Sequence, residues 1–413
     1  MPHTWRNHRH PQPTGNPPPP PVYRNYNPGH YTAINDTQRG NAIGQDSGSI
    51  VIPSLGGTIQ FSASGIPGGH LRTAGAWTAT SGPIVGPVDG NGAIVSASGS
   101  RGVVIPYWWS QLETARGVYD MSELIADVAV CQYLGIQLIA RIDTRTFSVN
   151  NNPAPGDPNG LTDNARYLNQ LPYSIQYTGS GGGYQISRWN KTGTQMVRTR
   201  WKLLIDQVYA AVGDHPNFEG IATQETAGGL TATEETQTGY DPDDYLAALE
   251  LEIDVTNAVS KKWRHFGYTN YIPGKAGETN AQADARVSTY FQYMVANGQV
   301  PGNPDILPDS SGIQNRVYPN FITTYGNTHP ADGPTFSCAQ PNSFQQSART
   351  LQQLMDFATN TGVAIGNVGH LKVDYIMWQL QTSLQGAGSH VFDSECRLCI
   401  TGKPVFNTYA YPP

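Results

Sequence analysis

The chain has 413 residues with 45 Gly, 31 Pro, 22 Tyr and 8 Trp, and only 14% of it is charged, against roughly 25% in an average globular protein. A formal net charge of −6 argues against a nucleic-acid binder, which would carry a basic patch. No run approaches the roughly 18 apolar residues that span a bilayer. The opening residues are positively charged but lack the apolar stretch of a secretory signal. A polar, loop-rich, aromatic-rich chain of this kind suits an extracellular or virion-associated protein.

Residues 1–40 are rich in Pro, Asn, His and Arg, with five consecutive prolines at 18–22. Such composition favours extended, polyproline-like geometry. The segment is expected to be an arm or linker, a route by which copies could assemble into a homo-oligomer. Residues 41–100 carry short β-prone runs, Ser49–Ile52, Thr58–Phe61 and Ala93–Val95, broken by Gly, Pro and Ser. They read as a small β-rich module or collar.

From residue 101 strand and helix patterns alternate. GVVIPYWW (102–109) is an apolar strand, followed by Asp120 and Glu123 at capping-box spacing and a helix carrying Leu124, Val128 and Cys131 on one face. IQLIARID (136–143) is a second buried strand and GGYQISRW (182–189) a weaker third. Trp201, Leu204, Ile205, Val208, Tyr209 and Val212 recur at helical spacing. GIATQETAG (220–228) is the fourth strand candidate: it starts apolar and ends on Gln224 and Glu225. HFGYTNYIPG, VPGNPDIL, PTFSCAQPNSF and KVDYIMWQL supply four more, separated by helical patterns around 242–263, 287–298 and 350–355. Eight strands alternating with helices predict an α/β fold, a (β/α)8 TIM barrel over 101–385 followed by a tail at 386–413. An open doubly wound sheet would give a similar pattern.

In such a barrel chemistry gathers at the C-terminal ends of the strands. The residues expected there, in chain order, are Trp108 and Trp109, Asp143 and Arg145, Arg188 and Trp189, Gln224 and Glu225, Asn270 and Tyr271, Asp305, Gln340 and Asn342, and Trp378. Trp108 and Trp109 point to opposite faces of their strand, so at most one of them meets the cavity. Carboxylates, amides and indoles together suit a sugar: apolar faces stack on rings and hydroxyls pair with Asn, Gln, Asp and Arg. Glycosidic cleavage needs two carboxyl groups, one protonated and one acting as base or nucleophile. No cofactor motif is found. The four cysteines include Cys396 and Cys399 in a CxxC, which lacks two further ligands for zinc, so no metal is expected. Glu113 and Asp374 read as structural carboxylates, and Glu234 and Glu235 as solvated loop charges.

The chain resembles the barrel glycoside hydrolases over roughly 102–385. The resemblance rests on YWWSQLETARGVYDMSEL (107–124), on the helix-to-strand run from Trp201 to Thr226 containing VYAAVGDHPNFEGIATQET, and on DYIMWQ (374–379). It implies that Glu225 is the general acid/base, that Trp378 lines the sugar subsite, and that the partner is a polysaccharide. Two departures stand out: Gln224 occupies the place where the large retaining clan has Asn, and the seventh strand offers Gln340 where that clan has a nucleophilic Glu. The second catalytic carboxyl is then Asp305 or Asp143. If neither serves, the chain is a catalytically inactive barrel, kept as a structural or glycan-binding part of a virion, fibre or surface assembly.

Overall fold

A computed structural model describes residues 24–33, 47–52, 57–62, 71–72, 77–79, 88–89, 101–134, 136–144, 174–177, 183–189, 197–227, 230–275, 277–308, 316–320, 334–339, 351–359, 371 and 373–379. Eight parallel strands close into a barrel. They are β1 (Gly29–Ala33), β2 (Gly102–Trp108), β3 (Gln137–Asp143), β4 (Phe218–Thr223), β5 (Arg264–Tyr268), β6 (Val300–Asn303), β7 (Phe336–Ala339) and β8 (Tyr375–Gln379). β1 bridges β8 and β2, with Tyr31 opposite Met377 on one side and Gly102 on the other. The helices described between them are α1 (Ser122–Leu134), α2 (Val197–Val212), α3 (Ala232–Thr238), α4 (Pro242–Val259), α5 (Asn280–Ala296) and α6 (Leu351–Thr359). No helix among the described residues is long and apolar enough to cross a membrane.

The closed parallel barrel is as expected, but two strands are exchanged. The strand that completes it, β1, lies inside the segment read as an arm. RNYNPGHYTA looks like linker because Asn, Pro and Gly punctuate it and only five residues pair. Residues 183–186, read as the third barrel strand, instead form an antiparallel hairpin with 174–177. Between β1 and β2 the β-prone runs at 49–52 and 58–61 fall in an antiparallel sheet of 47–52, 57–62 and 77–79. Ala93–Val95 and the tail at 386–413 lie outside the described residues.

Alternation along the strands sorts the core into two layers. Tyr31, Val104, Ile139, Ala222, Phe266, Tyr268, Val300, Phe336, Cys338, Tyr375 and Met377 fill the lumen. Val103, Ile105, Tyr107, Leu138, Ala140 and Ile142 face outward onto α1 and α2, where Leu124, Val128, Trp201, Leu204, Ile205 and Val208 meet them. The period of α2 seen in the sequence is therefore its buried stripe. Gly220 is required in β4: its φ is +152°, and a Cβ there would collide with the backbone of Arg264.

The N-terminal pole is closed by polar contacts from residues 24–27. Buried Glu219 accepts from the Asn27 backbone at 3.0 Å, from Asn27 Nδ2 at 2.6 Å and from Tyr375 Oη at 2.7 Å. Tyr26 Oη donates to Asp374 Oδ1 at 2.8 Å, and Arg24 to the Trp263 carbonyl at 3.0 Å. Asp374 also accepts from the Thr335 backbone at 2.9 Å, the structural role expected of it. Glu113 likewise ties down its loop, accepting from Trp109 Nε1 and the Gly117 backbone, each at 2.8 Å, with Arg200 beside it. Glu234 is not a solvated loop charge. It is buried, and as the third residue of α3 its carboxylate caps Thr231 at 2.7 Å.

Candidate active site at the barrel mouth

Glu225 follows β4 and is half-buried. Both of its chain neighbours are tied to adjacent strand ends. Gln224 Oε1 accepts from the Thr144 backbone at 3.0 Å, which fastens it to the end of β3. Thr226 donates its backbone N–H to the Tyr268 carbonyl at 2.9 Å and its hydroxyl to the Tyr271 carbonyl at 3.0 Å, while accepting from the Asn270 backbone at 3.1 Å. The carboxylate thus projects from a main chain held on both sides, the condition for a charged group to stay in place at a cavity mouth.

Asp305 follows β6 and is 7% exposed. Its carbonyl accepts from Asn303 Nδ2 and, at 2.9 Å, from Tyr318 Oη, whose oxygen in turn accepts from the Leu307 backbone at 2.7 Å. Ser337 Oγ on β7 donates to Asn303 Oδ1 at 2.8 Å and so links this turn to the next strand. The backbone of Asp305 is clamped, but its Oδ1 has no hydrogen-bond partner among the described residues. Burial pushes the Asp305 carboxyl up from 3.8 to about 7, and the charge on Glu225 pushes it the same way. The two carboxyls stand at the ends of β4 and β6, at the same end of the barrel.

Asp143 ends β3 and is fully buried, held by Arg141 two residues earlier on the same lumen face, with Nε to Oδ1 at 2.8 Å and Nη2 to Oδ2 at 3.1 Å. Among the described residues this pairing gives Asp143 a fixed cation, and none is paired with Asp305. Trp108 ends β2 on the lumen side, in line with Val104, 1% exposed, and its Nε1 has no hydrogen-bond partner among the described residues.

Several expected site residues lie elsewhere. Trp109 faces the outer layer, edge-on to Trp201 with centroids 5.6 Å apart. Arg188 and Trp189 follow the hairpin rather than a barrel strand and pack beneath α4. Arg188 Nη1 pairs with Glu252 at 3.1 Å and Nη2 donates to Tyr245 Oη at 2.5 Å. The Trp189 ring meets Tyr240 and Tyr245 at 4.8 and 5.6 Å. Asn270 and Tyr271 follow β5 and are half-buried, the Tyr271 ring lying under Arg316 at 5.9 Å. Trp378 pairs with Thr32 and Ala339 in the backbone of β8. The side chain of Trp378 lies outside the described residues, as do Arg145, Gln340, Asn342, Cys396 and Cys399. Among the described residues no group of three or more His, Cys, Asp or Glu could hold a metal.

Thr226, Asn303 and Tyr318 were not singled out from the sequence. Thr226 carried a signal, a hydroxyl beside the strand-end carboxylate. Tyr318 carried none, because it comes from a separate segment thirteen residues away.

No protein-family model matches the sequence, and no curated protein matches it. Among solved structures the barrel is similar to a GH5_18 protein from Streptomyces cattleya in complex with GlcNAc, at 12% identity and a TM-score of 0.43 over 75% of this chain and 73% of that one. It is also similar to endo-glycoceramidase II from Rhodococcus sp. in a ganglioside GM3 complex, at 12% identity and 0.41 over 72% and 71%. Against the same enzyme in a cellobiose-like imidazole complex the chain spans 66% of the other's length, just under two thirds. The old yellow enzyme from Trypanosoma cruzi is matched comparably, at 10% identity and 0.39 over 67% and 74%. Glycoside hydrolase barrels thus occur among the structural neighbours, beside a barrel of different chemistry. At these scores the likenesses carry no argument about the reaction, and the barrel assignment rests on its own strand pairing.

Proposed function

We propose that this protein is an extracellular or virion-associated glycoside hydrolase acting on an extracellular or bacterial-surface polysaccharide, with Glu225 and Asp305 as its carboxyl pair. The observation that supports the reading is a pair of carboxyls, buried Asp305 after β6 and half-buried Glu225 after β4, at the same end of a closed parallel barrel, with burial first and the Glu225 charge second pushing the Asp305 carboxyl up. Shifted carboxyl pairs of this kind divide into acid and base, and functional sites are where such shifts concentrate.

The roles differ from those implied by the resemblance. Asp305 retains its proton to about pH 7, so it is the general acid that protonates the leaving glycosidic oxygen. Glu225, less buried and held by Gln224 and Thr226, is the base or nucleophile. Trp108 offers its indole N–H from β2, on the opposite side of the barrel from β6, where a sugar hydroxyl between the two would meet it. Asp143, already paired with Arg141, serves as a fixed wall of the site.

The reading is tested by reducing-end release from a panel of bacterial exopolysaccharides. Wild type should cleave at least one of them, and Glu225→Gln should abolish cleavage while leaving glycan binding intact. With an aryl glycoside whose leaving group departs without a proton, Asp305→Asn should recover activity and Glu225→Gln should not. Unchanged turnover in Glu225→Gln removes the assignment. Full binding with no cleavage of any glycan by wild type supports the alternative, an inactive glycan-binding barrel, which the missing carboxylate at Gln340 favours.

A further inference from the structure

A buried chain of polar contacts runs from the segment after the 183–186 hairpin, through α4, to the residue that follows Glu225. Asp241 caps α4, accepting from the Asp243 and Asp244 backbones at 2.9 and 3.2 Å, and Pro242 sets its first turn. Tyr245 and Glu252 then fall two turns apart on one face of the helix, and both meet Arg188. Arg188 Nη1 donates to the two Glu252 oxygens at 3.2 and 3.1 Å, and Nη2 donates to Tyr245 Oη at 2.5 Å. Tyr245 Oη in turn donates to the Thr226 carbonyl at 3.2 Å. Arg188, Tyr245 and Glu252 are all buried.

A buried ion pair seldom adds stability over apolar packing of the same volume, but it fixes direction. A guanidinium only donates, so Tyr245 Oη must accept from it, and the one phenolic proton is left for the Thr226 carbonyl. A hydroxyl that accepts a charge-assisted bond also donates more strongly. The N–H and hydroxyl of Thr226 are already engaged by Tyr268, Asn270 and Tyr271, so Tyr245 holds its remaining polar group. Trp189 ties the other end of the same connection: its Nε1 donates to the Thr238 carbonyl at 3.2 Å, and its ring lies edge-on to Tyr245 with centroids 5.6 Å apart. We propose that Arg188 and Tyr245 are positioning residues for Glu225, acting through the Thr226 carbonyl and locking the segment after the hairpin to the turn that carries the carboxylate. The effect on turnover rests on the hydrolase reading; the effect on placement does not.

Tyr245→Phe removes the hydroxyl and keeps the ring against Trp189. In the full chain, kcat on a glycan that wild type cleaves should fall roughly tenfold or more with KM changed less than about twofold. The Asp305 carboxyl, followed by carbon NMR of labelled aspartate, gives a readout without activity. Burial and then the Glu225 charge raise it to about 7, and its midpoint should fall when Glu225 is no longer held. Tyr290→Phe is the control. Tyr290 packs in the same cluster as Tyr245, and its Oη has no hydrogen-bond partner among the described residues, so its loss should move neither readout. If Tyr245→Phe fails to fold, Arg188→Lys replaces it, keeping the charge beside Glu252 and giving up the fork that also reaches Tyr245. Wild-type kcat with an unmoved Asp305 midpoint overturns the proposal, and so does a loss that Tyr290→Phe reproduces or that falls on KM alone. If wild type cleaves no glycan, the hydrolase reading fails and the midpoint alone decides: a fall in Tyr245→Phe supports the positioning role, and an unmoved value overturns it.

Discussion

Replacing Asp305 by Asn should stabilise the protein at neutral and alkaline pH. The folded state raises this carboxyl from 3.8 to about 7, burial first and the Glu225 charge second, so the folded chain binds the proton more tightly than the unfolded chain does. Stability then falls as pH rises from about 3.8 to about 7 and is flat beyond, because in that window only the unfolded chain has lost the proton. A shift of about three units at about 1.36 kcal/mol each amounts to about 4 kcal/mol over the whole window. Asn does not titrate, so the variant escapes this loss. Between pH 5 and pH 8 roughly two units remain, and Asp305→Asn should gain about 3 kcal/mol relative to wild type. Reversible urea unfolding at the two pH values reads the difference directly. A constant offset from the new amide cancels in the comparison. Because burial is the larger cause, more than half of the gain should persist in a Glu225→Gln background. A gap between variant and wild type that does not change with pH, or that changes in the opposite sense, refutes the reasoning.

The remaining predictions concern placement. Deleting residues 1–40 should leave no folded barrel by far-UV circular dichroism and gel filtration, because it removes β1 and the contacts of Asn27 with Glu219; an arm would be dispensable. Trp109→Ala should cost about 3–5 kcal/mol in chemical unfolding and leave glycan affinity unchanged, since that ring packs on Trp201. Trp108→Phe should do the reverse, weakening glycan binding in calorimetry with little loss of stability.

The barrel was legible because its signal is repetitive. β2, β3, β6, β7 and β8 fall within the expected runs, β4 and β5 overlap theirs but begin one or two residues earlier, and α2 and α5 bury most of their apolar stripes. β1 was hidden because five residues with His and Thr among them carry no periodicity that outweighs Pro28 and Gly29. The 183–186 run reads as a barrel strand in sequence because a short β-prone stretch looks the same in a hairpin as in a barrel, and only pairing separates them. That exchange displaced Arg188 and Trp189 from the site without disturbing Glu225 or Asp305, which belong to later strands. Trp109 shows a different limit: alternation says that one of two adjacent indoles faces inward, but not which one. The clamps on Asp305 come from Asn303 and Tyr318, a contact across a segment boundary that no local pattern encodes.

Thr226 offers a sharper test of the mouth than either carboxylate. It touches neither Asp305 nor, in the proposed reading, the substrate; its hydroxyl sits between the Tyr271 carbonyl and the Asn270 backbone N–H. Thr226→Val keeps the branched shape and removes both side-chain bonds, which loosens the segment carrying Glu225 from residues 270–271 and leaves the backbone bond to the Tyr268 carbonyl as its tie to β5. Each bond contributes about 0.5–1.5 kcal/mol, so about 1–3 kcal/mol of local restraint is lost while Gln224 still holds the other side. If Glu225 works by position, kcat should fall by roughly tenfold or more with KM nearly unchanged, since small misplacements of a reacting group are costly. A second readout is independent of catalysis. As Glu225 drifts from Asp305, its charge presses less on that carboxyl, and the stability curve of Thr226→Val should flatten at a lower pH than the wild-type value of about 7. A variant that loses only global stability, with kcat and the flattening point both unmoved, would show that Thr226 merely braces the loop and that the placement of Glu225 does not depend on it.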